Sequence, residues 1–422
     1  MAGQSVGIND MAVYIPASTI SLDTILKNRN TQDPSGDRRL SRAIESTGQK
    51  AIRFTEPWQD SVTLTAEAVA NLVTQGVSPD GLRYFAVGTE SAVDMSKPIS
   101  AYAQGVLQRS GIAIPESLST FQVQHACAGG TIAMISVAAL LKAAGRKHES
   151  GLVVSADVAR YDTPSTAEIT QGAGAVALHI SENPGLIELD LESIGLASRD
   201  EEDFFRPLGS VTARVQGRYS VDCYNRALGE AFQDHATRLG KTTKEVLLET
   251  DIFVLHVPFY KMAVTGLTHL ASHTCDCNSD DVKSFLSERG FAEGLDPTRY
   301  IGNIYSGSMY MAMMFSLTER LRSLGDDIVG KTVTLASYGS GNTMAVIRGT
   351  IAASAPERIR NWNLSFLLKS ARQATFAEYE RFVEKTVYDL SYGPTDTTRL
   401  NSGRYYLAGI REDGYREYAF AQ

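Results

Sequence analysis

Cysteine is scarce in this chain, with four among 422 residues. That excludes a disulfide-stapled framework and points to a reducing compartment, so a cytoplasmic location is expected. Two of the four, Cys275 and Cys277, stand near His269 and His273, which share helical spacing. The set fits no standard zinc pattern and reads as an exposed helix end, so no metal is expected. Long apolar runs are also lacking. The longest, Ile132 to Leu141, is interrupted by Ser136 and stops at Lys142, and no bilayer-spanning segment is expected. The N-terminal segment has no basic stretch ahead of an apolar one, so no signal peptide is read. Positive charge does not prevail either: 40 Lys and Arg face 48 Asp and Glu, a net charge of −8. This argues against a general nucleic-acid binder, and an anionic substrate would need a local basic pocket. What is present is ordinary for a folded protein, 43% hydrophobic and 21% charged residues. The length exceeds one small core and implies two to three units or one large duplicated fold.

The patterning favours duplication within an α/β fold. A helical period covers Asp60 to Gln75, and short buried strands are read at Tyr84–Gly88 and Ser119–Val123. A strongly helical stretch then runs to Ala144, where Gly145 suits the position just past a helix end. Strands follow at Leu152–Ala156 and Gly174–Ile180. The second half repeats this order, with a helix over Val221–Leu239, a strand at Ile252–His256 and a helix over Lys261–His273. A longer helix from Asn303 to Leu324 and strands at Val333–Ser337 and Met344–Ile351 complete it. Three landmarks match between the halves. Ala126-Cys127-Ala128-Gly129 and Asn303-Ile304-Tyr305-Ser306 each open a helix. Thr170 to Val176 and Ser337 to Thr343 each turn into a strand. Val87-Gly88-Thr89-Glu90 sits where Val254-Leu255-His256 sits, each at the end of a short buried strand. The expected division is residues 1–200, residues 201–355, and a C-terminal extension, 356–422, that ends in a β-hairpin around Asp413-Gly414 and packs on the body.

Cys127 is the leading candidate for chemistry. At a helix N-terminus, free amides and the helix dipole favour a thiolate, and the small neighbours Ala126, Ala128, Gly129 and Gly130 let a substrate approach the sulfur. A buried cysteine acting as a small hydrophobe is the bland alternative. His256, at the C-terminal end of a strand, stands where α/β sites collect, though a satisfied core histidine reads equally well. Glu90, if partly desolvated, suits general acid/base work. Asn303 could be a plain helix cap, and Ser340, between Gly339 and Gly341, either an ordinary turn or an oxyanion-binding amide. The Gly3-Gln4-Ser5-Val6-Gly7 run fits a nucleophile elbow but lacks the preceding strand.

Taken in order, these segments resemble one family closely. They are Gly88-Thr89-Glu90-Ser91, Ala126-Cys127, Thr170 to Ala175, Phe204-Phe205-Arg206-Pro207, Gly217 to Tyr224, His256 to Lys261, Gly302-Asn303-Ile304-Tyr305 and Ser337 to Gly341. The set is similar to 3-hydroxy-3-methylglutaryl-CoA (HMG-CoA) synthases of the thiolase superfamily, in their bacterial form, from about residue 5 to residue 350. The resemblance implies a thiolase-like αβαβα layered sandwich of two duplicated halves, and a homodimer. It implies condensation of acetyl-CoA with acetoacetyl-CoA in the mevalonate pathway to isoprenoids, with no cofactor beyond the CoA thioester substrates. It makes Cys127 the acyl nucleophile, Glu90 the general acid/base and His256 the partner of the acetoacetyl group. Asn303, Tyr305 and Ser340 would surround the acyl groups, with Thr170, Ser220 and Lys261 along the thioester and its CoA. Two departures stand out. Ala128 replaces the tyrosine usual after the cysteine, implying a roomier pocket. Thr265 replaces a second lysine, so Arg206, Arg214 or Arg218 would meet the CoA phosphates. Alternatives are a carrier-protein-dependent HMG synthase of polyketide β-branching, a chain-initiating ketoacyl synthase that would not need Glu90, and a catalytically dead relative, against which the three intact residues speak.

Overall fold

In the computed structural model of the protein, the residues described are 5–32, 37–210, 212–276, 278–384 and 391–422. The elements that position the site begin with strand β1 (Val6–Tyr14), helix α1 (Asp37–Thr47) and helix α2 (Ser61–Thr74). Next come β2 (Leu82–Gly88), α3 (Ile99–Arg109), β3 (Ser119–Val123), α4 (Gly129–Ala144), β4 (Ser150–Ala159) and β5 (Gly172–Glu182). The second half contributes β6 (Ile187–Ser198), α5 (Gly217–Arg238), β7 (Ile252–Leu255), α6 (Tyr260–Cys275), α7 (Gly307–Leu324), β8 (Thr332–Gly339) and β9 (Thr343–Ile351). The extension supplies α8 (Ala355–Asn361), α9 (Phe376–Glu384) and the hairpin β10 (Tyr405–Ile410) and β11 (Arg416–Phe420).

Nine strands form one sheet in the order β7-β8-β9-β6-β1-β5-β4-β2-β3. β6 holds in the second half the place of β1 in the first, and β7, β8 and β9 correspond to β2, β4 and β5. The halves meet across β1 and β6, which pair antiparallel at Gly7–Glu188 and Ile8–Ile187. Both halves carry the same strand polarity, with β4 parallel to β2 and antiparallel to β5, and β8 parallel to β7 and antiparallel to β9.

Period-two alternation explains the layering. On β5, Val176, Leu178 and Ile180 enter a central core shared with Met134 and Val137 of α4 and Met309 and Met313 of α7. The alternate residues Ala175 and Ala177 face an outer core with Val69 and Leu72 of α2. On β7, Ile252 and Val254 join the central core, while Phe253 and Leu255 face Leu228 and Phe232 of α5 and Leu267 of α6. Helices α2 and α3, the first half-sheet, α4 with α7, the second half-sheet, and α5 with α6 therefore make the five αβαβα layers. The two central helices are joined by the Thr131 and Tyr310 hydroxyls, 2.9 Å apart.

Segment Ala126–Ala144 is long and apolar enough to match a membrane span, contrary to the expectation from its broken apolar run. Here it supplies the central layer, where β2, β4 and α7 bury it. The C-terminal hairpin packs on the outer face of the first half, Tyr405, Leu407, Ile410 and Tyr418 joining the α2–α3 core. Asp60 ties it down: Oδ1 caps α2 at the amides of Val62 and Thr63, and Oδ2 accepts from Arg416 (3.3 Å) and the Tyr418 hydroxyl (2.7 Å).

Candidate active site

Glu90 and His256 follow the C-terminal ends of β2 and β7, where α/β sites collect. Cys127 occupies the link between β3 and α4. Ala126 before it adopts a left-handed φ of +40°, and Ala128 after it caps the helix. The helix therefore begins at Gly129, two residues beyond the sulfur. The amide of Ala126 donates to Glu90 Oε1 at 2.7 Å, which pins the Glu90 carboxyl beside the cysteine segment.

Glu90 is in turn held by a fully buried aspartate that the sequence reading missed. Asp157 Oδ1 accepts from the Glu90 amide (2.7 Å), the Thr89 hydroxyl (3.0 Å) and the Ser91 hydroxyl (2.9 Å). The Arg206 guanidinium donates to the Glu90 carbonyl and lies 3.8 Å from its Oε2. Burial pushes the Glu90 carboxyl above its ordinary range, against the opposing pull of Arg206 and the Ala126 amide. Burial raises Asp157 to about 8.

Cys127 is packed among Ala159, Tyr161, Ala213 and Tyr305. Its thiol is pushed well up, first by burial and then by the charges of Glu90, Asp157 and Asp203, while the Asn303 amide pulls the other way. Desolvation thus works against the expected thiolate, and the dipole that would favour it belongs to a helix that starts two residues away. The small neighbours also serve packing. A Cβ on Gly88 would run into the backbone of Gly129 and Gly130, and one on Gly130 into the Ser155 hydroxyl. These residues let α4 lie against β2 and β4. Ala128 is buried, and a Cβ on Gly339 would fall 2.6 Å from its methyl group. That contact places the turn carrying Ser340 against the cysteine segment.

Asn303 does not open α7, which starts at Gly307. Gly302 has φ +92° and Tyr305 φ +46°, and a left-handed residue cannot continue a right-handed helix. Asn303 Oδ1 instead accepts from the Tyr305 amide (2.9 Å) and the Ser308 hydroxyl (3.0 Å), which leaves its Nδ2 to donate to Tyr161 Oη (3.3 Å) and toward the Cys127 sulfur. The Asn303 amide donates to the Thr170 carbonyl at 2.9 Å, locking this loop onto the start of β5. The Thr170 and Tyr305 hydroxyls meet that of Tyr161.

His256 immediately follows β7, its amide bonded to the Ala336 carbonyl on β8 at 2.8 Å. Burial drops its imidazole to about 3, so it is neutral. Its Nδ1 has no hydrogen-bond partner among the described residues, and the same holds for Asp157 Oδ2 and the Ser155 and Ser306 hydroxyls. Buried atoms left unsatisfied in this way gather where substrate or water completes the site.

Two sequence candidates are hydrogen-bonded within the chain. Ser220 donates to Asp203 Oδ2 at 3.2 Å, and Asp203 also takes the Tyr338 hydroxyl and the Gly341 amide, both at 2.8 Å. Lys261 stands at the rim, its Nζ on the Glu45 carbonyl of α1 at 2.8 Å. Arg206 is committed to Glu90, which removes it from the cations expected at the CoA phosphates. Arg214 and Arg218 are exposed. Asp157, Tyr161 and Asp203 escaped the sequence reading. An acid inside the apolar run Leu152–Ala159 was a usable signal for the first, whereas nothing local marked the other two. Among the described residues no group of three or more His, Cys, Asp or Glu gathers as a metal set. Cys277 lies outside the described residues, while His269 and His273 stack on one exposed helix face.

Two family models match the chain: the N-terminal region of hydroxymethylglutaryl-coenzyme A synthase over residues 2–184 and its C-terminal region over residues 282–421. The chain belongs to the HMG-CoA synthase family. Curated members include the hydroxymethylglutaryl-CoA synthases of Enterococcus faecalis, 27% identical over 91% of this chain and 92% of that one, and of Haloferax volcanii, 26% identical over 89% and 90%. The solved structure of MvaS in complex with 3-hydroxy-3-methylglutaryl coenzyme A aligns with a TM-score of 0.86 at 29% identity, covering 99% of this chain and all of that one. PksG, an HMG-CoA synthase from Bacillus, aligns over 99% of this chain and all of its own with a TM-score of 0.87 at 21% identity, which shows the shared fold. As an HMG-CoA synthase family member the chain is an acyltransferase, and the thiolase-like expectation holds for its fold.

Proposed function

We propose that this enzyme condenses acetyl-CoA with acetoacetyl-CoA and water, giving HMG-CoA and free CoA through an acetyl-S-Cys127 intermediate, in the mevalonate route to isoprenoids. The observation that carries this reading is the 2.7 Å bond from the Ala126 amide to Glu90, which keeps a buried carboxyl beside a buried thiol. Cys127 attacks the acetyl thioester, and because the resting sulfur is a thiol its proton leaves with the CoA sulfur. Amides near Cys127 and Ser340 stabilise the oxyanion. Glu90 then removes a methyl proton from the acetyl-enzyme, a task for which a raised carboxyl is better matched than an ordinary one. The resulting carbanion equivalent adds to the ketone carbon of acetoacetyl-CoA. Neutral His256, with Asn303, polarises that ketone oxygen, which takes up a proton as the alcohol forms. Water hydrolyses the enzyme thioester and releases the product.

Thr170, Tyr305 and Lys261 are assigned to the thioester and its CoA, with Ser220 acting through Asp203. The enzyme is further proposed to work in the cytoplasm as a homodimer. The likeness to MvaS, solved with a CoA product, favours free CoA over a carrier protein as acyl donor. The test is peptide mapping after incubation with radiolabelled acetyl-CoA. Label belongs on the Cys127 peptide and disappears in Cys127→Ala. Glu90→Ala retains label and fails to condense. Label lost in Glu90→Ala with condensation retained would refute these roles, and faster acetylation from an acyl-carrier protein than from acetyl-CoA would move the enzyme to β-branching.

A further inference from the structure

The C-terminal extension reaches the acyl-transfer site from behind. Helix α9 lays Tyr379 into an apolar cluster with Ile20, Ile52, Phe54, Ile169 and Phe382. Arg160 lies over the Phe382 ring, 4.0 Å from its centroid, and donates to the Phe382 carbonyl. A polar chain of buried side chains, Glu168, Tyr379 and Gln171, runs through this cluster. Glu168 pairs with Arg29 of the helix Leu22–Gln32, Nη2 to Oε1 at 2.7 Å. The Tyr379 hydroxyl donates to the same Oε1 at 2.9 Å, and Gln171 Nε2 donates to the Tyr379 oxygen at 2.7 Å. Gln171 Oε1 in turn accepts the amide of Tyr161 at 3.0 Å.

Each link fixes the sense of the next. A carboxylate paired with a guanidinium only accepts, so the single Tyr379 proton points at Glu168. The tyrosine oxygen is left to accept, which turns Gln171 Nε2 toward it and Oε1 toward Tyr161. Packing alone does not call for such a chain, since apolar side chains of similar volume often fill a buried ionic site at no cost in stability. What the polar chain adds is direction, and the groups it directs border the sulfur. Tyr161 packs against Cys127, its hydroxyl meeting Asn303 Nδ2 at 3.3 Å and the hydroxyl of Thr170. Thr170, next to Gln171, takes the Asn303 amide on its carbonyl. A Cβ on Gly302 would fall 1.9 Å from the Gln171 carbonyl oxygen, and one on Gly172 2.5 Å from that of Asn303. The two loops are interleaved, so a shift of Gln171 moves Tyr161 and Asn303 together.

We propose that Tyr379 is a positioning residue for acyl transfer: its hydroxyl orients the Gln171 carboxamide, which holds Tyr161 and Asn303 against Cys127. The inference rests on Cys127 being the acyl carrier. It makes the C-terminal extension a working part of the acyl site as well as a cover for the first half.

The test uses the full chain and follows acetylation of Cys127 by rapid quench with radiolabelled acetyl-CoA, reading amplitude, saturating rate and half-saturating concentration. Tyr379→Phe keeps the ring and removes the hydroxyl. It is expected to label to the wild-type amplitude, with the saturating rate about tenfold lower and the half-saturating concentration within about twofold. Gln171→Met should do the same. The double variant should be no slower than the slower single one, since both cut the same chain. Tyr418→Phe deletes another hydroxyl of the extension, the one that meets Asp60, and should lower the urea midpoint while leaving the rate per labelled site unchanged. A Tyr379→Phe enzyme that loses only amplitude or urea midpoint, at an unchanged rate per labelled site, overturns the proposal, as do additive losses in the double variant. Should Tyr379→Phe yield no folded enzyme, Gln171→Met decides by the same rate. A wild-type chain that takes no label on Cys127 removes the acyl-carrier reading, and this inference with it.

Discussion

The protonation states of three side chains, Cys127, Glu90 and His256, bear on what this site can do. Glu90 combines a carboxyl raised by burial with one cation, Arg206, that pulls it back down. In the proposed role of base Glu90 works ionised, so the condensation rate should fall as pH drops through its pKa. Removing the guanidinium raises that pKa further. Arg206→Gln is thus expected to move the acid limb of the single-turnover condensation profile to higher pH, and an unmoved limb would show that Arg206 does not tune Glu90. The neutral His256 makes a second expectation concrete. A neutral imidazole polarises a ketone without changing charge, so His256→Ala should weaken use of acetoacetyl-CoA while leaving acetylation largely intact, as seen in separate assays of the two half-reactions. Glu90 and His256 drew notice in the sequence because each stands at the end of a recognisable buried strand, whereas the strand before Cys127, also expected to be buried, is the half-exposed edge strand β3. The charge states of the three could not be read there, since burial, the largest influence on each, is set only by the folded chain.

Close backbone approach governs the elements around the site. Gly88→Ala would drive a methyl group into the first turn of α4, and Gly339→Ala would place one 2.6 Å from Ala128 Cβ and 2.8 Å from the His125 carbonyl. Each is expected to cost about 1–3 kcal/mol, read as a lower urea midpoint. Gly339→Ala should also slow acetylation, because it displaces the cysteine segment itself. Asp60 serves two elements at once, as cap of α2 and anchor of β11. Asp60→Ala removes the cap and the charged acceptor shared by Arg416 and the Tyr418 hydroxyl, so about 2–4 kcal/mol of stability should be lost. The strong elements were readable: α2, α4 and β7 to β9 fall close to their expected bounds, and Gly145 does adopt the left-handed helix-end conformation, with φ +58°. The long strand β6 was overlooked although Ile187-Glu188-Leu189-Asp190-Leu191 alternates strictly, its acids masking an edge-to-centre strand. The start of α7 was misplaced because left-handed Tyr305 carries no mark in its residue type.

At the scale of the molecule, the buried Asp157 sets a pH dependence opposite to that of an ordinary carboxylate. Its folded value of about 8 lies above the unfolded value of about 3.9. Between these pH values the folded chain holds a proton that the unfolded chain releases. This contribution is therefore complete at about pH 4 and declines as pH rises through about 8. Asp157→Asn should flatten the fall of the urea midpoint over that interval, and an unchanged slope would assign the pH dependence to other groups. The duplicated plan was visible in the order of landmarks. Its most consequential product, a central layer walled by sheets on both sides, could only be seen once β1 and β6 were joined.

That layer contains Met309, Met311, Met313 and Met314, each no more than 1% exposed. Thioethers so enclosed should resist peroxide for as long as the two halves stay closed around them. Sulfoxide formation on the Gly307–Leu324 helix, measured by mass spectrometry along a denaturant series, would then act as a chemical clock for the parting of the halves, independent of any change at the catalytic sulfur.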